Sequence, residues 1–129
     1  APAYPFGYGI SYTTYKYGKL SLSANSMDKN GKVTASLTVT NTGNRAGDEI
    51  VQLYIHDIAA SIIRPVKELK GFKRVHLDAG ESKTVEFEIS EPMLKFYNAD
   101  LQFVSEPGDF EIMVGPNSMD VQTLKLTLN

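Results

Sequence analysis

Closely spaced carboxylates are the side chains of this 129-residue chain with the clearest potential for chemistry. Two carboxyl groups held about 5 Å apart can divide the work of bond cleavage, one as nucleophile and the other as acid and then base. By spacing, the candidate pairs are Asp48-Glu49, Glu86 with Glu88, and Asp109 with Glu111. Each pair lies in or beside a segment of alternating polarity, and ionised side chains are rarely buried without a partner. We therefore expect all three pairs on solvated strand faces.

The histidines and glycines offer weaker candidates. His56 and His76 are the only histidines and cysteine is absent, which is too few ligands for a typical zinc site. His56 as base, Asp57 as the group that orients it, and Ser61 as nucleophile would make a catalytic triad. The sequence has no Gly-x-Ser-x-Gly motif of the kind that exposes a nucleophilic serine on a strand-to-helix turn. Gly7-Tyr-Gly9 lacks the third glycine and the helix of a phosphate loop. The sequence predicts surface histidines, no catalytic residue, no metal and no cofactor.

Composition describes an ordinary globular domain. The chain is 42% hydrophobic and 22% charged, values typical of folded proteins, and its length suits one domain. A formal charge of -2 gives no electrostatic reason to expect a nucleic-acid partner, and no apolar run is long enough to cross a bilayer. Because cysteine is absent, stability must come from packing and strand hydrogen bonds.

Alternation of apolar and polar residues predicts half-buried antiparallel strands. Lys32–Thr42 points Val33, Ala35, Leu37 and Val39 inward, and Gly47–Asp57 does the same with Val51, Leu53 and Ile55. The intervening turn is rich in glycine and asparagine, so these two strands are expected to pair as a hairpin. Further strands are predicted over Leu69–Leu77, Ser82–Ile89, Gly108–Gly115 and Val121–Leu128.

Shorter features complete the expected fold. Ser90–Phe96 reads as one helical turn with Ser90 as N-cap, and Asn98-Ala-Asp100 as a tight reversal between short strands. About seven antiparallel strands with regularly spaced turns predict an all-β, immunoglobulin-like sandwich.

Five runs resemble the C-terminal fibronectin type III-like domain of family 3 glycoside hydrolases, the β-glucosidase and β-xylosidase group: Tyr4–Tyr15, Thr40–Tyr54, Arg64–Val75, Gly80–Val85 and Pro107–Gly115. The resemblance implies a fibronectin type III-like fold in a bacterial β-glucosidase-type parent that hydrolyses terminal β-D-glucosides with retention. It also implies that the catalytic carboxylates lie in preceding segments, so that the parent is an enzyme and this chain alone is not. A periplasmic or secreted location for the parent follows from the same resemblance.

Exposed apolar side chains suggest contact with those preceding catalytic domains. Aromatic residues crowd the start of the chain, where we expect residues 1–14 to form a linking arm and residues 15–129 the sandwich. Tyrosine and phenylalanine have large apolar side chains, and tyrosine adds a polar hydroxyl group; both residues are common at protein interfaces. The irregular segment Asp57–Pro65 adds isoleucines without a strand pattern. The predicted docking residues are Tyr4, Phe6, Tyr8, Tyr12, Ile58, Ile62 and Ile63.

Other readings remain open at this stage. The same aromatic rings could stack on sugars in a carbohydrate-binding module, although tryptophan is absent. An adhesion or oligomerisation module unrelated to any hydrolase is a second alternative, and a second subunit of the parent is a further candidate partner. Our preferred hypothesis is an accessory domain that supports and stabilises the preceding domains.

Overall fold

Strands make up almost all the regular structure. The computed structural model describes residues 13–58, 67–97 and 100–129. The strands in these ranges are β1 (Tyr15–Tyr17), β2 (Ser21–Leu22), β3 (Ser26–Met27), β4 (Lys32–Asn41), β5 (Gly47–Asp57), β6 (Glu68–Leu77), β7 (Ser82–Ser90), β8 (Phe96–Tyr97), β9 (Phe103–Val104), β10 (Gly108–Gly115) and β11 (Gln122–Leu128). A 3₁₀ helix spans Glu91–Leu94. Among the described residues, no helix is long and apolar enough to span a membrane.

Two sheets form the body of the domain. In the smaller sheet, the central strand β4 pairs with β1, β2 and β7. The larger sheet has the order β3-β11-β10-β5-β6, and β8 pairs with β9 as a separate two-stranded ladder. All pairings are antiparallel except that of β3 with β11. The predicted all-β fold is confirmed.

The core lies between the facing surfaces of these sheets. The inward residues predicted for β4 and β5 are all buried, as are Val85, Phe87 and Ile89 of β7 and Phe110, Ile112 and Val114 of β10. Leu124 of β11 is only partly buried, while Leu126 and Leu128 are fully enclosed. The period of two in the sequence therefore identified the buried faces, because successive strand residues point to opposite sides of a sheet.

The predicted hairpin between β4 and β5 is wrong. β4 belongs to the smaller sheet and pairs with β7, from Lys32 opposite Ser90 to Thr40 opposite Ser82. β5 belongs to the larger sheet and pairs with β10 and β6. Both strands have a strongly apolar face, and placing them in opposite sheets lets those faces pack against each other. The turn after β4 therefore carries the chain from one sheet to the other.

The region after β7 also differs in detail from expectation. Ser90 occupies the N-cap position of the 3₁₀ helix, but its side chain makes no capping hydrogen bond. β8 and β9 flank the predicted reversal and pair antiparallel, while residues 98–99 lie outside the described residues. Leu101 has φ of 61°, a left-handed conformation that is uncommon for leucine.

Candidate functional site

The outward carboxylates mostly bind neighbours on their own sheet. Glu86 and Glu88 are exposed on β7, as predicted. Asp109 and Glu111 lie on β10 on either side of buried Phe110, so they share its outer side. Asp109 accepts a hydrogen bond from Thr127 Oγ1 at 2.7 Å. This hydrogen bond holds Asp109 against its own sheet, as expected on a solvated strand face.

Glu49 contradicts the predicted solvated pair Asp48-Glu49. Along β5 it is in phase with buried Val51, and its Oε2 accepts a hydrogen bond from the Tyr17 hydroxyl at 2.9 Å. Burial raises the pKa of Glu49, and the Tyr17 bond opposes that rise. Burial, followed by the charge of Glu49, raises the pKa of Tyr17. The contact joins β1 of the smaller sheet to β5 of the larger one.

The two histidines have different environments. His76 is exposed, as predicted, and its Nδ1 lies 2.7 Å from Asp48 Oδ1, a hydrogen bond that raises the pKa of His76 and lowers that of Asp48. His56 is more enclosed than predicted, with Nδ1 2.7 Å from Glu111 Oε1. Its orienting carboxylate is therefore Glu111, and Ser61 lies outside the described residues. No cluster of potential metal ligands occurs in the part of the chain that the structure describes.

Asn41, at the end of β4, is a completely buried polar side chain whose hydrogen-bonding capacity is fully used. Its Oδ1 accepts from Thr13 Oγ1 at 2.6 Å and from the Gly43 amide at 2.9 Å. Its Nδ2 donates to the carbonyl oxygens of Arg45 at 2.7 Å and Leu77 at 3.0 Å. One amide thus connects the residues before β1, the turn after β4 and the end of β6.

Backbone contacts extend this connection. The Thr42 amide donates to the Thr14 carbonyl at 2.8 Å. A Cβ added at Gly43 would overlap Thr13 Oγ1, so the absent side chain of glycine permits the close approach. We call Thr13, Thr14, Asn41, Thr42 and Gly43 the entry clamp, because they fix the direction from which the chain enters the sandwich.

Of the predicted docking residues, Ile58 is the one that lies within the described ranges. Tyr4, Phe6, Tyr8, Tyr12, Ile62 and Ile63 lie outside the described residues. Ile58 follows β5, is exposed, and donates its amide hydrogen to the Asp109 carbonyl at 3.2 Å. Docking through these residues stays a prediction.

The larger sheet carries a set of exposed apolar side chains that the sequence did not predict. Ile50, Leu69 and Phe72 are 41%, 51% and 65% exposed. Ile50 alternates with the buried residues of β5, which places it on the outer side of the sheet. Two pieces of information locate these three residues on the outer side: the alternation along β5 and the pairing register of β5 with β6. The sequence alone did not give that register. We call these three residues the outer patch.

Comparison with known proteins identifies the domain. The model of the family described as "Fibronectin type III-like domain" matches residues 49–118, more than half of the chain. The chain belongs to this family. The fibronectin type III-like domain is 49% identical over 121 residues to the periplasmic beta-glucosidase of Salmonella typhimurium, covering 94% of this chain and 16% of that protein. It is 50% identical over 129 residues to a beta-xylosidase of Formosa agariphila, covering 98% of this chain and 18% of the relative.

Solved structures agree with the sequence relatives. The beta-glucosidase from Listeria innocua in complex with glucose matches with a TM-score of 0.85 at 42% identity, covering 99% of this chain and 18% of that one. A b-glucosidase from Erythrobacter marinus matches with a TM-score of 0.86 at 42% identity, covering 98% and 17%. The fibronectin type III-like domain thus spans less than a fifth of these proteins and corresponds to their C-terminal segment. The predicted resemblance to family 3 glycoside hydrolases is confirmed.

Replacing Asn41 by alanine should destabilise the domain strongly. Asn41→Ala removes the hydrogen-bond donor to the buried Leu77 carbonyl and the acceptor for the Gly43 amide. Unsatisfied buried groups cost about 1–3 kcal/mol each, so we expect a loss of about 3 kcal/mol in the free energy of unfolding, measured by urea titration. Asn44→Ala is the control, because Asn44 is exposed in the same turn. Equal losses for the two variants would refute the proposed role of Asn41.

The raised pKa of Glu49 predicts a pH-dependent effect of Glu49→Gln. A carboxyl whose pKa is higher in the folded state favours folding below its unfolded pKa, and that contribution disappears as the pH rises through the folded pKa. Glutamine does not titrate. The unfolding free energy of the variant, relative to the unchanged protein, should therefore increase between pH 4 and pH 7. A difference independent of pH would show that Glu49 is not perturbed.

Proposed function

We propose that this chain is a non-catalytic accessory domain of a family 3 β-glucosidase-like parent, in which it acts as a fixed interdomain support and stabiliser. The parent hydrolyses terminal β-D-glucosides with retention, using carboxylates in other segments. The beta-glucosidases and beta-xylosidase among the relatives support this assignment. The domain's partner is the preceding part of the same polypeptide.

The entry clamp is the observation that carries the supporting role. A module that searches for ligand on a tether requires a flexible linker. Here, Thr13 and Thr14 are already hydrogen-bonded to Asn41 and Thr42, and the next residues pair with β4 from Tyr15 opposite Asn41. Polypeptide that precedes residue 13 therefore meets a fixed point on the sandwich. The division into a linking arm over residues 1–14 and a sandwich over residues 15–129 stays part of this proposal, with Thr13 and Thr14 at the end of the arm hydrogen-bonded to the sandwich.

The chemistry of the described carboxylates agrees with a non-catalytic role. Asp48 binds Arg74 and His76, Glu111 binds His56, and Glu49 accepts from Tyr17. Local hydrogen bonds of this kind hold each carboxylate against its own neighbours and stabilise the sheet. A retaining hydrolase instead needs both carboxyl groups directed at one sugar.

The parent's location is proposed from its relatives. The name of the Salmonella typhimurium relative places that protein in the periplasm. We propose a periplasmic or secreted location for the parent of this chain on the same basis.

Substitution of Gly43 in the full-length parent tests the supporting role. Gly43→Ala forces Thr13 away from Asn41, because the new methyl group overlaps the Thr13 hydroxyl. We expect a lower midpoint of thermal inactivation, by about 4 °C or more, and a larger radius of gyration in small-angle X-ray scattering. The cause would be a loosened junction between this domain and the preceding ones.

The matched control is Gly71→Ala. A Cβ at Gly71 would only make ordinary contacts with the Phe87 ring, at 3.8 Å. This variant should leave the inactivation midpoint and the scattering unchanged. If Gly43→Ala also left both unchanged while weakening the Thr13–Asn41 contact, a tethered module would be the better description.

A further inference from the structure

The outer patch lies on one side of two adjacent strands. In the β5–β6 register, Phe72 lies opposite Gln52 and Leu69 lies opposite Tyr54, on the side of the sheet away from the core. Ile50 precedes Gln52 by two residues on the same side of β5, which makes it a diagonal neighbour of Phe72. The three side chains therefore share the outer side of two adjacent strands, where their cross-strand partners are Arg74, Gln52 and Tyr54.

The position of the outer patch within the sheet makes its exposure costly. β6 is the edge strand of the five-stranded sheet and runs for 10 residues. Long edge strands with exposed apolar side chains promote association with other chains unless they are covered or protected. Grouped apolar side chains that remain in water commonly mark interaction surfaces, whereas single ones do not.

Cations border the outer patch. Lys67 Nζ lies 6.0 Å from the centroid of the Tyr54 ring. Lys70 contacts Glu68 at 3.5 Å, and Arg74 reaches Asp48 at 2.7 Å. Glu68 and Asp48 pair with two of these cations, so the border of the outer patch carries mixed charge.

We infer that the outer patch docks onto an apolar surface of the preceding part of the parent polypeptide. This inference rests on the proposed supporting function and names the surface that performs it. Phe72 is the central anchor, with Leu69 and Ile50 beside it. The docking surface on this domain thus includes β5 and β6, in addition to the segments predicted from sequence.

The length of the relatives favours this occupant. The chain covers 16–18% of the first relatives, and the remainder of such a protein is attached covalently. Covalent attachment gives the attached surface a high effective concentration at the outer patch without any intermolecular encounter. No separate partner protein has to be assumed.

Two other occupants are outcomes of the test below. The outer side of the sheet also carries the Tyr54 ring and the Gln52 amide, which a sugar could contact. A second copy of this chain is the other alternative occupant.

Thiol labelling of the full-length parent tests the inference directly. Phe72→Cys places a thiol at the centre of the outer patch, and its reaction with a maleimide is followed by mass spectrometry of the peptide that contains position 72. The control is Lys32→Cys on β4, because the side chain of Lys32 is 64% exposed in this domain, nearly as exposed as Phe72, and is polar. We expect Phe72→Cys to react at least ten times more slowly than Lys32→Cys. Leu69→Cys repeats the measurement should the first variant misfold.

Each outcome of the labelling experiment decides between occupants. Equal rates at positions 72 and 32 would overturn the inference. Protection that grows with protein concentration would assign the outer patch to a second copy, and protection that appears only with added cello-oligosaccharide would assign it to sugar; both results would also overturn it. Rapid labelling combined with a clear effect of Gly43→Ala would leave the supporting function intact and place the docking surface elsewhere.

Discussion

The arrangement of the domain depends on the buried amide of Asn41. An amide enclosed among apolar side chains is costly unless both its donors and its acceptor are satisfied. At Asn41 this requirement is met by groups from three parts of the chain: Thr13 before β1, the turn at Gly43 and Arg45, and Leu77 at the end of β6. Moving any one of these groups would break a hydrogen bond to the buried Asn41 side chain. The crossing between the sheets and the entry of the chain are therefore fixed together.

The inward and outward faces of the sandwich differ in composition. The inward faces form one apolar core, with Glu49 as a partly buried exception held by Tyr17. On the outer side of the larger sheet, ion pairs such as Arg74–Asp48 lie beside exposed Phe72. This combination of apolar area and charge suits a surface that contacts another protein region, and a rigid β-sandwich keeps such a surface in a constant orientation relative to the entry clamp.

Local sequence patterns predicted local structure well, because the period of two reports which side of a strand is buried. Val33 to Val39 on β4 and Phe110 to Val114 on β10 are examples. Pairing between distant strands was harder to predict. The sequence predicted that β4 pairs with β5, whereas the two strands lie in different sheets and their apolar faces oppose each other across the core. The same difficulty concealed the outer patch. The alternation along β5 did indicate that Glu49 points inward, because Glu49 is two residues from buried Val51. The sequence prediction placed it in solvent because ionised carboxylates are rarely buried.

Hydrogen exchange of the Thr42 amide in the full-length parent tests the central claim most directly. This amide donates to the Thr14 carbonyl and so reports whether the entering chain remains attached to the sandwich. The reference is the amide of Val39, within the paired part of β4. If the entry clamp is as firm as the sheet, the Thr42 and Val39 amides should have protection factors within about one order of magnitude. Exchange of Thr42 at the rate of an unstructured peptide, with Val39 still protected, would show that the chain detaches locally and that the domain is tethered rather than fixed.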